Sequence, residues 1–353
     1  MSEPNQNLTE LSSLGEFALI DHLTEHITIN HESTIKGVGD DAAVIQPSEG
    51  KQMLISKDLL IEGIHFDLVY SPLKHLGYKA VVVNLSDIAA MNATPKQIVV
   101  GIGVSSKYSL EAVEEIYAGI IKACEIYSVD FVGGDTTSSR TGLFISVTVI
   151  GEADKESVTY RSGAKPNDLI CVSGDLGSAY MGLLLLEREK KAFQADPNLQ
   201  PDLSGSDYLI ERQLKPEARV DIVRLLKEKE VLPTSMIDIS DGLASEVLHL
   251  CKQSGTGCVV HEDKIPVDQI TFDTAKEFAI VPIVAALNGG EDYELLFTIS
   301  QSDYEKIKDE KDITVIGYMT DEKEGCQLVT NDNQMIKLEA QGWDALKKRE
   351  LDV

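Results

Sequence analysis

The sequence predicts an α/β (α+β) protein of two domains. Two observations carry this: 353 residues are enough for two cores of ordinary size, and short apolar strands alternate with amphipathic helices along the chain. A third observation concerns the junctions. Several strands break into small acidic and glycine-rich motifs, of which Gly39-Asp40-Asp41-Ala42-Ala43 is the most compact. Two carboxylates about 4 Å apart repel by roughly 4 kcal/mol at an effective dielectric near 20, so close pairs usually hold a proton or a cation. An Asp-rich turn would use the same residues, and the recurrence of the pattern is what favours a cation.

In the first half, Ser13-Leu14-Gly15-Glu16 forms a capping box for a helix reaching Ile27. Within it, His22-Leu23-Thr24-Glu25-His26 matches H-x-x-E-H, but no supporting site accompanies it and two solvated histidines are the better account. Gly37-Val38-Gly39-Asp40-Asp41-Ala42 formally matches G-x-G-x-x-A. A dinucleotide loop must offer bare amides to a pyrophosphate, which two aspartates would repel, so a Rossmann site is excluded. Met53 to Leu60 reads as a strand carrying Asp58, and Leu73 to Met91 as a helix in which Asp87 is a polar island. Gln97 to Val104 is a strand, and Ser109 caps a helix running to Tyr127, with Tyr117 reading as a core or rim aromatic. Val129 to Val132 is a short strand delivered into Gly133-Gly134-Asp135-Thr136-Thr137, and Leu143 to Ile150 closes the half. The boundary is placed near Gly151, giving domains 1–151 and 152–353.

The second half opens on the basic turn Arg161-Ser162-Gly163-Ala164-Lys165-Pro166-Asn167-Asp168 into a strand, Leu169 to Ser173. Helices follow over Gly177 to Lys191 and Glu217 to Glu230, separated by the Pro- and Asp-rich loop Ala195 to Ser206. Ile237-Asp238-Ile239-Ser240-Asp241-Gly242 repeats the strand-into-acids pattern, with Ser240 placed to cap a helix over Leu243 to Gln253. Gly289-Gly290-Glu291-Asp292-Tyr293-Glu294 precedes a strand from Leu295 to Ile299. The one tryptophan, Trp343, lies near the end of the chain.

Composition narrows the function. A net charge of −26 disfavours nucleic acid and anionic membrane, both of which need a basic footprint, and implies that a phosphate substrate is met through divalent metal ions. With no apolar run of membrane-spanning length and no signal-like start, the expected location is cytoplasmic. Five cysteines, odd in number and without C-x-x-C spacing, argue for reduced thiols over a disulfide frame or a zinc site. Asp40, Asp41, Asp58, Asp87, Asp135, Asp238 and Asp241 form a set of hard oxygen ligands suited to magnesium. Walker A and protein-kinase motifs are absent.

Seven motifs, taken together, resemble the thiamine-monophosphate kinase family. They are Leu14-Gly15-Glu16-Phe17, Gly39-Asp40-Asp41-Ala42-Ala43, Asn84-Leu85-Ser86-Asp87-Ile88-Ala89-Ala90-Met91, Gly133-Gly134-Asp135-Thr136-Thr137, Arg161-Ser162-Gly163-Ala164-Lys165-Pro166, Asp238-Ile239-Ser240-Asp241-Gly242-Leu243 and Gly289-Gly290-Glu291-Asp292-Tyr293-Glu294-Leu295. The resemblance implies a fold related to aminoimidazole ribonucleotide synthetase, with an N-terminal sheet that pairs with its twin in a barrel across a homodimer. It implies ATP and thiamine monophosphate as substrates and several Mg2+ ions. Asp41, Ser56, Lys57, Asp58, Asp87, Asp135, Asp238 and Asp241 then match metal positions. Tyr117, Gly134, Asp135, Arg161 and Ser240 match ATP contacts, and His65, Glu291 and Trp343 match contacts to thiamine monophosphate. Of the first pair of acids, the match favours Asp41 as the ligand.

Two positions depart from the family. Lys57 stands where threonine is common, which leaves only a backbone contact to metal, and Asn92 replaces a glycine at a site that asparagine's tolerance of left-handed backbone can fill. No general base is implied, since the accepting phosphate is largely ionised at neutral pH. Two rivals remain: a relative of the same fold with another acceptor, and a non-catalytic acidic metal-binding protein. Selenophosphate synthetase and hydrogenase maturation relatives use a cysteine near one end of the chain, whereas here the first is Cys124 and the sequence ends Leu351-Asp352-Val353.

Overall fold

The computed structural model describes residue 9 and residues 16–38 and 42–341. The expectations for Asp40, Asp41, Trp343 and the Ser13 capping box lie outside these residues. The chain divides into two compact units, the first reaching Glu156 and the second beginning at Ser157, with Ala89–Asn92 grouped with the second. Gly151 itself lies within a strand.

The first unit contains α1 (Glu16–Thr24), β1 (Thr34–Lys36), β2 (Val44–Ile45), β3 (Lys51–Ile61), α2 (Leu73–Ala90), β4 (Thr94–Ser105), α3 (Leu110–Tyr127), β5 (Asp130–Ser139) and β6 (Phe144–Asp154). Among the described residues β3 to β6 make a four-stranded sheet in the order β3-β6-β4-β5. Its strands are antiparallel except for β4 and β5, which run parallel because α3 carries the chain back between them. Register sets Ile98, Val100 and Ile102 of β4 beside Val149, Val147 and Ile145 of β6, and all six are buried. The helices meet almost backbone to backbone. A Cβ on Gly77 of α2 would fall 2.0 Å from the Ile116 carbonyl oxygen, and one on Gly119 of α3 would fall 1.9 Å from that of Lys74. Ser109 caps α3 as expected, accepting from the Ala112 N–H at 3.3 Å. Asn92, just past α2, does take a left-handed φ of 56°.

One expectation is corrected here. The strand anticipated at Val129 to Val132 does not stop at the glycines: β5 continues through Gly133 and Gly134 to Ser139. It does so because β4 pairs with it along that length, and Gly134 is needed for closeness, since a Cβ there would lie 2.0 Å from the Val100 carbonyl oxygen.

The second unit contains β7 (Leu169–Ser173), α4 (Ser178–Ala195), α5 (Asp207–Leu214), α6 (Val220–Glu228), β8 (Ser235–Asp238), α7 (Leu243–Ser254), β9 (Thr256–His261), α8 (Gln269–Glu277), α9 (Pro282–Asn288), β10 (Leu295–Ile299), α10 (Tyr304–Ile307), β11 (Ile313–Asp321), β12 (Cys326–Val329) and β13 (Met335–Lys337). The described strands form a seven-stranded sheet in the order β13-β12-β9-β11-β7-β10-β8, with only β12 and β9 parallel. The mostly apolar run of β10, Leu295-Leu296-Phe297-Thr298-Ile299, is buried on both faces. Leu296 enters a core with Val172, Ile237 and Val260, while Leu295, Phe297 and Ile299 enter another with Ile222 and Leu226 of α6.

Candidate functional site

In the first unit the acids gather on β3 and α2. Alternation along β3 turns Ser56 and Asp58 toward α2 and Lys57 to the opposite face, where it is exposed. The Ser56 hydroxyl donates to Asp87 Oδ2, and the Asp58 N–H donates to Asn84 Oδ1 at 2.9 Å. Asn84 is fully buried and held by its own bond from Nδ2 to the Ala80 carbonyl at 3.0 Å. Burial first, and the neighbouring charge of Asp87 second, push Asp58 from the ordinary aspartate value of 3.8 up to about 6. Ser56 thus fixes the Asp87 carboxylate and Asn84 the Asp58 backbone, and Asp87 disfavours the ionisation of Asp58.

Asp135 is placed differently. Register runs Asp58–Val147–Val100–Gly134 across the sheet, so Asp58 and the Gly134–Asp135 segment sit on opposite edge strands, about 14 Å apart at the usual strand spacing. Asp135 pairs in register with Gly101 and so turns to the face opposite Asp58. Within one chain these two acids do not reach a common ion. Tyr117 is 5% exposed, its ring centroid 6.0 Å from that of Phe131; burial raises its pKa, and Thr136 on β5 is its hydrogen-bond partner. His65, exposed beyond the end of β3, accepts at Nδ1 from the Ile61 N–H at 3.0 Å, which places the proton of a neutral ring on Nε2.

In the second unit two distant motifs lie against each other. The Glu291 N–H donates to the Ser240 carbonyl at 2.7 Å, Tyr293 N–H to Ile239 at 2.9 Å, and Ile239 N–H to Glu294 at 2.8 Å. A Cβ on Gly290 would lie 2.5 Å from the Ser240 oxygen, and Glu291 and Tyr293 both take left-handed φ values, 59° and 53°. Non-glycine residues in that region cost of order 1–3 kcal/mol each, so the surrounding bonds hold a strained loop in place. Gln213 Nε2 donates to Glu291 Oε2 at 2.7 Å.

The expected cap by Ser240 is corrected. The N-cap of α7 is Gly242, at a φ of 105° that favours glycine, and no side chain caps it. Instead Glu246 reaches back to accept from the Asp241 N–H at 3.1 Å. Burial pushes Glu246 up to about 7, opposed by that bond and by Arg161, and reinforced by the charge of Asp241. Asp238 is buried at the end of β8, while Ser240 and Asp241 are half-buried.

Residues not singled out from the sequence complete the surroundings. Glu294 accepts from Arg212 Nη1 at 2.8 Å, from Arg219 Nη1 at 2.5 Å and from the Ser173 hydroxyl at 2.5 Å. Asp292, fully buried, accepts from the N–H groups of Gly177 and Ala179 at the start of α4. No local spacing marks Arg212 and Arg219 as partners of Glu294, because the pairing is made by tertiary packing.

Similarity to known proteins is consistent along the whole length. The model of the AIR synthase related protein N-terminal domain matches residues 39–153, and that of the C-terminal domain matches 165–328. The thiamine-monophosphate kinase of Bacillus subtilis (strain 168) is 36% identical over 95% of this chain and 100% of its own. The chain belongs to the thiamine-monophosphate kinase family. Two solved structures agree with the family fold. One, described as "AaThiL complexed with AMPPCP and TMP", is 32% identical, covers 96% of this chain and 99% of that one, and superposes with a TM-score of 0.71. The thiamine-monophosphate kinase from Stenotrophomonas maltophilia K279a is 30% identical, with 90% and 97% coverage and a TM-score of 0.76. Among the described residues of this family member, no helix is long and apolar enough to cross a membrane.

Proposed function

We propose that this chain is an ATP-dependent kinase acting on thiamine monophosphate in the cytoplasm, giving thiamine diphosphate and ADP. Family membership supplies the reaction, and the Asp58–Asp87 pair is the feature of this chain that carries the reading. Ser56 fixes the Asp87 carboxylate and Asn84 the Asp58 main chain, the charge of Asp87 raises the Asp58 pKa, a divalent cation would relieve that repulsion, and the hard carboxylate oxygens suit magnesium. Bound magnesium would bridge and neutralise the phosphates that must approach in line.

The remaining roles are those that the family resemblance implies. Ser56, Asp58 and Asp87, the Lys57 backbone, and Asp41, Asp135, Asp238 and Asp241 hold ions. Tyr117, Gly134, Asp135, Arg161 and Ser240 receive ATP, with Arg161 adding a fixed positive charge. His65, Glu291 and Trp343 receive thiamine monophosphate, and the strained loop presents Glu291 rigidly. The accepting phosphate oxygen is already ionised at neutral pH, so the protein positions it and needs no general base; transfer is direct, without a phospho-enzyme.

A homodimer belongs to the same proposal. The edge strand β3 exposes Met53, Ile55, Leu59 and Ile61, all of one parity and hence one face. Two sheets joined edge to edge, β3 of one copy to β5 of the other, would bring the strand of Asp58 beside the Gly134–Asp135 segment of the partner. The deciding assay combines purified protein, ATP and saturating magnesium with thiamine monophosphate, with free thiamine as the control acceptor. Thiamine diphosphate is the expected product, and its absence defeats the reading.

A further inference from the structure

The five cysteines are free thiols, as expected, but three that are scattered along the sequence meet in the fold. Cys251 at the end of α7, Cys258 on β9 and Cys326 on β12 converge, their sulfur atoms all within 4.8 Å of one another. Two local features bring this about. β9 and β12 are parallel neighbours with Cys258 and Cys326 as register partners, so both side chains leave one face of the sheet. Gly255, at a left-handed φ of 66°, turns α7 directly into β9 and lays the last turn of the helix over that face. The surroundings are apolar: Val247, Leu250, Val260, Leu328 and Leu338 belong to the same core. Cys251 and Cys258 are buried, whereas Cys326 is half-buried and opens the cluster to solvent.

We propose that Cys251, Cys258 and Cys326 form a three-thiolate site for one thiophilic d10 metal ion, zinc(II) or copper(I). Metal–sulfur bonds of about 2.3 Å set three sulfurs roughly 3.7–4 Å apart, so the site closes with shifts of about 1 Å. Thiolates select soft and borderline ions and reject magnesium, so this site is chemically independent of the aspartates. Binding releases three thiol protons to solvent and changes no oxidation state. The side open at Cys326 is the entry path and, for zinc, leaves room for water as the fourth ligand. The ion ties α7, β9 and β12 together beside β13, whose residues are all exposed.

The test uses reduced full-length protein in excess magnesium, titrated separately with zinc(II), cadmium(II) as a spectroscopic substitute, and copper(I) under anaerobic conditions. A sulfur-to-metal charge-transfer band that saturates at one ion per chain, with a rise in thermal midpoint, is expected. Competition with a zinc chelator and a copper(I) chelator identifies the better-held ion. C326S, altered at the half-buried ligand, should weaken binding at least tenfold while keeping the wild-type circular dichroism; C124S should bind as wild type. C326A provides a second variant at the same accessible ligand. The proposal is overturned by absence of the band, by full retention of binding in C326S and C326A, or by a Cys258–Cys326 disulfide in unreduced protein with no metal uptake after reduction.

Discussion

Two sets of carboxylates, Glu294 with Asp292 in the second unit and Asp58 with Asp87 in the first, are held in different ways. In the second, Glu294 has two arginines and a serine on its oxygens, and Asp292 accepts two backbone N–H groups. These acids bring their compensation with them and serve the fold. In the first, Asp58 faces Asp87; the Ser56 hydroxyl donates to Asp87, the Asn84 side chain accepts from the Asp58 backbone N–H, and burial with the neighbouring Asp87 raises the Asp58 pKa. The difference separates an acid compensated by two arginines from an acid that its surroundings push toward the protonated form.

Substitution should separate the two kinds. Arg212→Met, which removes one built-in partner of Glu294, is expected to cost about 3–5 kcal/mol in urea unfolding, with or without magnesium. A magnesium-dependent loss would place Glu294 with the functional acids instead. Asp58→Asn should lower kcat/KM on the order of 10²–10³ while leaving metal-free stability equal to or above wild type. If stability measured in chelator falls, the pair is structural and the contrast breaks.

Linkage sharpens the same point. The folded-state pKa of Asp58 is raised, so between about pH 3.8 and 6 the folded chain keeps a proton that the unfolded chain has lost. Wild type in chelator should therefore lose stability as pH rises through that window, relative to Asp58→Asn. Magnesium affinity should increase over the upper part of the same range, readable by calorimetry. The smallest effect is expected from Ser109→Ala, which removes the α3 cap and should cost about 1 kcal/mol without altering kcat/KM.

Much of this was legible in the chain. β3, α2, β7 and β10 follow from apolar pattern and turn residues, and the motif order alone pointed to the family. What escaped was set by tertiary contact. The extension of β5 through two glycines depends on pairing with β4, and the N-cap of α7 fell to Gly242, which lies where a Cβ would meet the Leu287 oxygen at 2.7 Å, while Glu246 accepts from the Asp241 N–H before it. Cys258 and Cys326 meet only because β9 and β12 are adjacent, a fact no spacing encodes. The opposite-edge positions of Asp58 and Asp135 were equally invisible, since strand order is not written locally.

The crossing of α2 and α3 has a consequence for how variants of this protein will behave. Asp87 rides on one helix and Tyr117 on the other, and their carriers are spaced by two absent methyl groups, at Gly77 and Gly119. An alanine at either position acts as a shim, forcing the helices apart by ångströms and carrying the two side chains with them. A mutational screen would then score both glycines as active-site residues, although neither has a side chain with which to touch a substrate.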